Sequence, residues 1–427
     1  MKTLAELRQE YEGYKALGLK LDMTRGKPAK EQLDMMEPLL GVLSCKEDCV
    51  SDGIDCRNYG ILDGIPAAKR IFSDILGVPA EKIIVGGNSS LNMMYDTMAR
   101  AMLSGVIGSE KPWSKYGKIS FLCPVPGYDR HFAICQYFGI NMIKVPMMDD
   151  GPDMNLVEKL VGEDETIKGI WCVPKYGNPS GVTYSMDVCR RFAALKPKAK
   201  DFRVFWDNAY AIHDLSDTPD TIPEILSLAA EYGNENMFFE FTSTSKISFP
   251  GSGLAAMASS EANIKSITKQ LAFQTIGFDK LNQLRHAKLF PTKESLFEHM
   301  KRHRAIIKPK FDAVISEFDR QGINKLEGVH YTRPNGGYFI SLNLPNGCAK
   351  RLVQLAADAG LSLTAAGATF PYGKDPNDSN LRIAPTFPPL ADIEKAAKVL
   401  SCCIKLTVAE YEYNLASGGD YLTHAMG

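Results

Sequence analysis

Short apolar runs alternate with segments of helical length through the middle of the chain. Segments with helical patterns, such as Leu91 to Leu103 and Met186 to Leu195, lie between several of these runs. Strands that alternate with helices predict a mainly parallel sheet sandwiched by helices, which is an α/β fold. The strand-like runs are Lys82 to Val85, Ile119 to Cys123, Ile140 to Val145, Ile170 to Val173, Val204 to Trp206 and Met237 to Phe241.

The pattern changes after about residue 290 and predicts a second, smaller α+β domain. The N-terminal residues begin with an amphipathic helix that is expected to pack with it. We therefore predict a large domain over residues 45–300 and a small domain built from both chain ends, residues 1–44 and 301–427. The stretch Ser417 to Gly427 has no pattern that we can interpret. The predicted elements of the small domain are a helix over Lys293 to Gln321, strands over Val329 to Thr332 and Gly337 to Leu342, and helices near 349–359 and from Ala391.

Composition and charge narrow the class of protein. The chain has 427 residues, and its 49 basic and 50 acidic side chains give a net charge of -1, so we expect no nucleic-acid partner. No apolar run approaches the ~20 residues that span a bilayer, and the N-terminus lacks a signal-peptide pattern. The ten cysteines show no zinc-site spacing. We therefore expect a cytoplasmic protein with reduced thiols, no metal and no membrane partner.

The loops that follow the strands are where a parallel sheet binds its ligands. After the first strand, Gly87, Asn88 and Ser89 lead into a helix, an arrangement that suits a phosphate but also a simple helix cap. After the next strand, Tyr128 follows a Pro-Gly turn. Its ring is placed either to stack on a flat heterocycle or to pack in the core.

Three further loops carry polar or charged side chains. Asn178 precedes a proline, which holds its amide in an extended turn. Asp207 ends an aromatic strand, where it suits a cationic partner or a helix cap. Lys246 follows the run of hydroxyl residues that begins at Thr242, and a buried lysine of low pKa forms imines, whereas an ordinary surface lysine does not.

In this order and spacing, these motifs resemble those of fold-type I pyridoxal 5′-phosphate (PLP) enzymes of the class I/II aminotransferase group. The resemblance covers nearly the whole chain. Four motifs look like those of a bacterial aspartate aminotransferase subgroup. They are Thr-Arg-Gly-Lys-Pro from Thr24, Gly-Asn-Ser-Ser-Leu-Asn from Gly87, Lys-Tyr-Gly-Asn-Pro-Ser-Gly from Lys175 and Trp-Asp-Asn-Ala-Tyr from Trp206.

The resemblance implies three catalytic residues. Lys246 would form the Schiff base with PLP and then carry the proton between the substrate and the cofactor. Asp207 would pair with the pyridine nitrogen, and Tyr210 would donate to the phenolic oxygen of the cofactor. Asn178 would share that oxygen and also face the substrate, while Tyr128 would stack on the ring.

The resemblance also assigns the ends of the bound molecules. The phosphate would contact Gly87, Asn88, Ser89 and Ser243, with Ser252 as a further hydroxyl. Arg382 would bind the substrate α-carboxylate through its planar fork, and Gly26 would belong to an N-terminal segment that closes over the substrate. Tyr59 would reach the phosphate of the neighbouring subunit, which implies a homodimer with shared active sites.

One departure from the family pattern concerns the phosphate. Relatives carry an arginine about eight residues after the lysine, whereas here Ser252 is followed by Gly253. Either another cation takes its place, for which Arg25, Lys27 and Arg57 are the candidates, or the phosphate relies on a helix N-terminus and hydroxyl contacts. A dicarboxylic substrate needs a further cation at its distal end, and the candidates for that role are Arg25, Arg57, Arg285 and His286.

Taken together, these features predict a PLP-dependent aminotransferase that moves an amino group between an L-amino acid, best aspartate, and 2-oxoglutarate. Two alternatives stay open. A PLP lyase that acts on β-substituted amino acids shares the fold and most of the motifs, and its product would be pyruvate. A PLP-binding regulator would need a DNA-binding domain, which the N-terminal position of Thr24 and the near-neutral charge disfavour.

Overall fold

The computed structural model describes residues 2–417. Within this range the helices are α1 (Leu4–Ala16), α2 (Lys30–Asp34), α3 (Pro38–Gly41), α4 (Pro66–Leu76), α5 (Ser90–Ser104), α6 (Asp129–Tyr137), α7 (Met154–Glu163), α8 (Met186–Ala193), α9 (Ile225–Ala230), α10 (Glu261–Leu271), α11 (Lys280–Leu289), α12 (Lys293–Arg320), α13 (Ala349–Asp358) and α14 (Leu390–Ala416). Apart from Ser417, the C-terminal stretch without a pattern lies outside the described residues.

Among residues 2–417, the strands belong to one large sheet and three small ones. They are β1 (Leu21–Asp22), β2 (Val50–Ser51), β3 (Ile54–Asp55), β4 (Ile83–Val85), β5 (Ser120–Val125), β6 (Asn141–Met148), β7 (Gly151–Pro152), β8 (Ile167–Cys172), β9 (Arg203–Asp207), β10 (Phe238–Ser243), β11 (Ala255–Ser259), β12 (His330–Tyr331), β13 (Ile340–Asn343), β14 (Leu361–Ser362) and β15 (Asn380–Ile383).

The large sheet has eight strands in the order β4-β11-β10-β9-β8-β5-β6-β7. The pairings from β10 through β9, β8 and β5 to β6 are parallel, and β11 runs antiparallel between β10 and β4. The predicted α/β class is therefore confirmed, and each of the six predicted strands overlaps a strand of this sheet. Because β11 is antiparallel to both β10 and β4, strand β4 runs in the same direction as the parallel strands.

Side chains on the two faces of the large sheet enter two different cores. Val204 and Trp206 of β9 pack in one core, together with residues of α4, α8 and α9. Phe205, between them in sequence, packs in the other core beneath α5 and α6. This alternation follows from the period of two in a β-strand. Strand β9 is buried at every position, and its three central residues are apolar, between Arg203 at the start and Asp207 at the end.

A third core defines the smaller domain and joins both ends of the chain. It contains Leu7 and Tyr11 of α1 together with residues of α12, α13 and α14. Strand β1 pairs in parallel with β14, which brings Leu21 beside Leu361. The three-stranded sheet β12-β13-β15 completes this domain. Within the described chain, no helix is both long and apolar enough to cross a membrane.

The direction of the strands determines where the polar loops meet. Strands β4, β5, β8, β9 and β10 all end at the same edge of the large sheet. The small domain lies against this edge, where Asp214 forms an isolated bridge with Gly336. Residues from five loops and from the small domain therefore converge there.

Candidate active site

A cavity of about 610 Å³ lies at this edge of the sheet. Nine of the predicted site residues line it, and they come from both domains. They are Gly26, Ser89, Tyr128, Asn178, Asp207, Tyr210, Ser243, Lys246 and Arg382. The motifs that lie far apart in sequence thus form one site.

Asp207 is a buried carboxylate at the end of β9, with 3% of its surface exposed. His131 Nε2 lies 3.0 Å from Asp207 Oδ2. Because a carboxylate only accepts hydrogen bonds, this nitrogen carries a proton and donates it. The other oxygen, Oδ1, is buried and has no hydrogen-bond partner among residues 2–417. A buried carboxylate oxygen without a donor is costly, so Asp207 is suited to receive one from a ligand in the cavity.

His131 is held in place by aromatic rings on two sides. Its imidazole stacks on the Trp171 indole, with the ring centroids 4.3 Å apart and the planes within 9°. The Tyr128 ring meets it edge-on at 4.9 Å. These contacts fix the direction of the N–H that His131 donates to Asp207, and so orient the carboxylate toward the cavity.

Lys246 enters the cavity just beyond β10 and faces two aromatic rings. Its Nζ lies 5.0 Å from the centroid of Tyr210 and 5.7 Å from that of Tyr338. Burial lowers the pKa of the Lys246 ammonium, Asp207 opposes this shift, and the positive charge of Arg382 adds to it. A lysine with a lowered pKa has a larger fraction of neutral, nucleophilic amine near neutral pH.

Arg382 reaches the same cavity from β15 of the small domain. Its Nη1 lies 3.3 Å from Asn178 Oδ1 and 3.2 Å from Asp129 Oδ1. The guanidinium carbon lies 4.9 Å from the ring centroid of Phe339. Since Arg382 can only donate, the Asn178 oxygen must face it, which leaves the Asn178 amide N–H groups to donate elsewhere. Arg382 Nε is buried and has no hydrogen-bond partner among the described residues, so the guanidinium can still donate to an anion.

Hydroxyl groups and a helix N-terminus also line the cavity. Ser89 precedes the first turn of α5, and its side chain makes no capping hydrogen bond. Ser243 Oγ donates to Ser245 Oγ at 3.1 Å, and Ser245 Oγ lies 3.4 Å from the carbonyl oxygen of Asn88. The unsatisfied N–H groups at the start of a 15-residue helix favour an anion such as a phosphate.

Gly26 lies against Phe339, the residue that also packs on Arg382. A β-carbon at Gly26 would come within 2.5 Å of the Phe339 ring, so a larger residue does not fit without moving the ring. The neighbours Arg25 and Lys27 also line the cavity. The N-terminal segment therefore approaches the site closely beside Arg382.

Other predicted residues lie outside the cavity lining. Ser252 Oγ donates to Asn282 at 3.3 Å. Tyr59 is 83% exposed and lines a surface groove together with Arg57, which pairs with Asp55. Gly87 is tied to β11, since its carbonyl oxygen accepts from Ala255 N–H at 2.8 Å.

The structure also separates the candidates for the cation at the distal end of the substrate. His286 is buried against Ser248, at 2.8 Å from its hydroxyl, and burial lowers its pKa to about 4, so it is neutral near pH 7. Neither His286 nor Arg285 belongs to the cavity lining, whereas Arg25 does. Arg130, which sequence reasoning did not single out, also lines the cavity.

His131 and Arg130 were missed because they lie inside α6, where a polar residue is ordinarily solvated. Their position could have indicated a role, because both lie within one turn after Tyr128, at the start of a helix that points at the cavity. Phe339 was missed because a single aromatic residue beside a strand is a common core residue.

Comparisons with known proteins agree with this geometry. A family model described as aspartate amino-transferase matches residues 1–415. An aspartate aminotransferase from Corynebacterium glutamicum is 43% identical over 409 residues, which cover 96% of this chain and 94% of the relative. The crystal structure of an aspartate transaminase from the same organism superimposes with a TM-score of 0.92 at 43% identity and covers 96% of each chain.

A more distant structure shows the fold alone. The α-aminoadipate aminotransferase of Thermus thermophilus, solved in complex with N-(5′-phosphopyridoxyl)-L-leucine, is 20% identical. It superimposes with a TM-score of 0.74 and covers 92% of this chain and 93% of its own.

Proposed function

The chain belongs to the aspartate aminotransferase family and is a PLP-dependent aminotransferase, and we propose that it transfers the amino group of L-aspartate to 2-oxoglutarate with Lys246 as the Schiff-base lysine. The observation that carries this proposal is that Lys246 and the buried carboxylate of Asp207 line one cavity. The 43% identical relative named as an aspartate aminotransferase supports the choice of aspartate.

The residues of the cavity fit PLP. Asp207 Oδ1 is a buried oxygen without a donor among residues 2–417, which suits a protonated pyridine nitrogen. Tyr128 lies on the wall of the cavity and would lie against the ring, while the hydroxyls of Ser89 and Ser243 beside α5 would hold the phosphate. When bound, PLP supplies the electron sink that acidifies the Cα–H bond of an amino acid.

The protein's own contribution begins with proton transfer at Lys246 Nζ. Because burial lowers its pKa, a larger fraction of this amine is neutral near physiological pH and able to accept a proton from the substrate Cα. Asp207, oriented by His131, would hold the ring nitrogen through its other oxygen, Oδ1. Burial raises the pKa of the Tyr210 phenol, so Tyr210 remains protonated and can donate a hydrogen bond.

Orientation of the substrate depends on Arg382. Its guanidinium would bind the α-carboxylate with two parallel hydrogen bonds, exchanging its contact with Asp129 for the substrate. A substrate fixed at this carboxylate would present its Cα–H bond to Lys246. It would then lose the Cα proton and keep its carboxylate. The Asn178 amide, whose oxygen faces Arg382, would lie between the carboxylate end and the ring end of the cavity.

The charge of the cavity favours a dicarboxylic substrate. Two carboxylates line it, and both are paired, Asp129 with Arg382 and Asp207 with His131. Against these two stand four cationic side chains besides Lys246, so positive charge is in excess. The four are Arg25, Lys27, Arg130 and Arg382. Among residues 2–417, no carboxylate lies within ion-pair distance of Arg25, Lys27 or Arg130.

A homodimer would complete the site through Tyr59. This side chain is largely exposed, and it lies beside Arg57 on a groove outside the cavity. We propose that both serve the phosphate site of a second copy of the chain. We also propose a cytoplasmic enzyme, since Cys45, Cys49 and Cys56 lie close together in sequence and are free thiols.

A screen of half-reactions tests the proposed function. The PLP-loaded protein is mixed with single amino acids, and the conversion of the yellow form to the amine form is followed by absorbance. We expect aspartate and glutamate to convert it much faster than alanine does. Release of pyruvate and ammonia from a β-substituted amino acid, without conversion by aspartate, would instead establish the lyase alternative.

A further inference from the structure

A buried hydrogen-bond network lies behind Lys246. At its centre is Gln32 of α2, which is 1% exposed. Gln32 Oε1 lies 2.8 Å from the Ala29 backbone nitrogen. Gln32 Nε2 lies 2.8 Å from His303 Nδ1 and 3.0 Å from Tyr338 Oη.

The direction of each hydrogen bond follows from the partners. The Ala29 N–H can only donate, so the Gln32 atom that faces it is the oxygen. Both hydrogens of the Gln32 amide are then donated, one to His303 and one to Tyr338. Burial lowers the pKa of His303 to about 2, which keeps its ring neutral and leaves Nδ1 able to accept.

Tyr338 connects this network to the lysine. Because its oxygen accepts from Gln32, its hydrogen remains to be donated to the backbone carbonyl of Lys246, 3.4 Å away. The centroid of the same ring lies 5.7 Å from Lys246 Nζ. Tyr338 therefore contacts both the main chain and the amine of Lys246, so a shift of this ring moves the lysine.

Ala29 connects the network to the segment that covers the substrate end. It lies two residues after Lys27, and the segment Thr24 to Lys27 lines the cavity. Gly26 in this segment packs on Phe339, the residue that follows Tyr338. One glutamine thus bonds to the base of the N-terminal segment and to the tyrosine that supports the lysine.

We propose that Gln32 is a positioning residue that fixes the N-terminal segment and Lys246 relative to each other. This inference rests on the proposed role of Lys246. If it is right, a variant that removes the carboxamide loosens the segment and displaces the amine at the same time. A glutamine that served stability alone would change the unfolding temperature and leave the turnover of the folded protein unchanged.

Three variants separate the contact of the carboxamide with the Ala29 N–H from its contacts with His303 and Tyr338. Gln32→Leu removes all three contacts. Gln32→Glu keeps an acceptor for the Ala29 N–H but has no hydrogen to donate to Tyr338, whose hydroxyl then turns to the carboxylate and away from Lys246. Tyr338→Phe removes the hydroxyl, and with it the bond from Gln32 and the bond to the Lys246 carbonyl, but keeps the ring and the bond between Gln32 and Ala29. Gln354→Leu is the matched control, because Gln354 bonds to Asp358 on the exposed face of α13.

Hydrogen exchange of the backbone measures the first contact without reference to catalysis. In Gln32→Leu, we expect the peptide covering residues 24–31 to exchange faster than in the unmodified chain. In Gln32→Glu and Tyr338→Phe, we expect the Ala29 amide to remain protected. Unchanged exchange of this peptide in Gln32→Leu would overturn the link to the segment.

Single-turnover kinetics with aspartate measures the second contact. We expect a rate about 10- to 100-fold lower in all three variants, the effect of a misplacement near ~1 Å. The rate in Gln354→Leu should be unchanged. A misplaced group should lower the rate by much more than about twofold. If the rates of Gln32→Glu and Tyr338→Phe stay within about twofold of the unmodified protein, the link to Lys246 is overturned. Should Lys246→Ala retain turnover, the proposed function would fail, while the exchange result would still decide whether Gln32 holds the segment.

Discussion

Replacement of His131 by phenylalanine isolates one hydrogen bond of the site. Phenylalanine keeps a flat ring that can stack on Trp171, 4.3 Å away, but it removes the N–H that His131 donates to Asp207 at 3.0 Å. Both His131 and Asp207 are buried, so no solvent replaces the lost donor. A hydrogen bond to a charged group contributes about 1.5–3 kcal/mol, which corresponds to roughly 10- to 150-fold in a rate that depends on it.

We therefore expect the single-turnover rate with aspartate to fall by about that factor in His131→Phe, with the fold intact by circular dichroism. Asp207 would lose the donor that orients it and would hold a ring nitrogen less well. The matched control is His330→Phe at the exposed start of β12, which should leave the rate unchanged. A normal rate in His131→Phe, or an equal loss in the control, would refute the orienting role.

Three further changes test other parts of the protein. Gly26→Ala places a methyl group within 2.5 Å of the Phe339 ring and should raise the KM for aspartate, whereas Gly13→Ala, with open space around it, should not. Arg130→Gln should lower kcat/KM for aspartate much more than for alanine, and equal losses would exclude a role in recognising the distal carboxylate. Burial raises the pKa of Glu240 to about 8 from an ordinary value of 4.5. Between these two pH values the folded state keeps a proton that the unfolded state releases. The free energy of unfolding therefore falls as pH rises through this range, by up to about 1.4 kcal/mol per pH unit. Glu240→Gln should remove this fall in urea unfolding, and an unchanged pH dependence would contradict it.

The large sheet could be predicted because parallel strands are buried on both faces and so appear as unbroken apolar runs. Strand β11 could not be predicted in the same way, since Ala255 to Ser259 is rich in alanine and has no β-branched or aromatic residue. It is a strand because β10 and β4 hydrogen-bond to it on both sides. Tertiary context, rather than local preference, determines its structure.

The residues of the site fall into two groups for a physical reason. Asp207 and Lys246 could be predicted because each lies at or just beyond the end of a strand, where the direction of the sheet places it at the ligand edge. His131 and Gln32 could not, because their proposed roles depend on contacts with residues 76 and 306 positions away, Asp207 and Tyr338. Such pairs leave no local pattern in a single sequence.

The phosphate site remains a prediction. Ser89 and Ser243 lie in the cavity, whereas Ser252 bonds to Asn282 outside its lining. Arg25 and Lys27, two of the proposed substitutes for the missing arginine, also line the cavity.

Borohydride reduction of the PLP-loaded protein tests the role of Lys246 most directly. Reduction fixes the cofactor to the amine that holds it, and digestion followed by mass spectrometry locates the labelled peptide. We expect the phosphopyridoxyl group on Lys246 and no labelled peptide from Lys246→Ala. A label on a different lysine of the unmodified protein would contradict the proposed site.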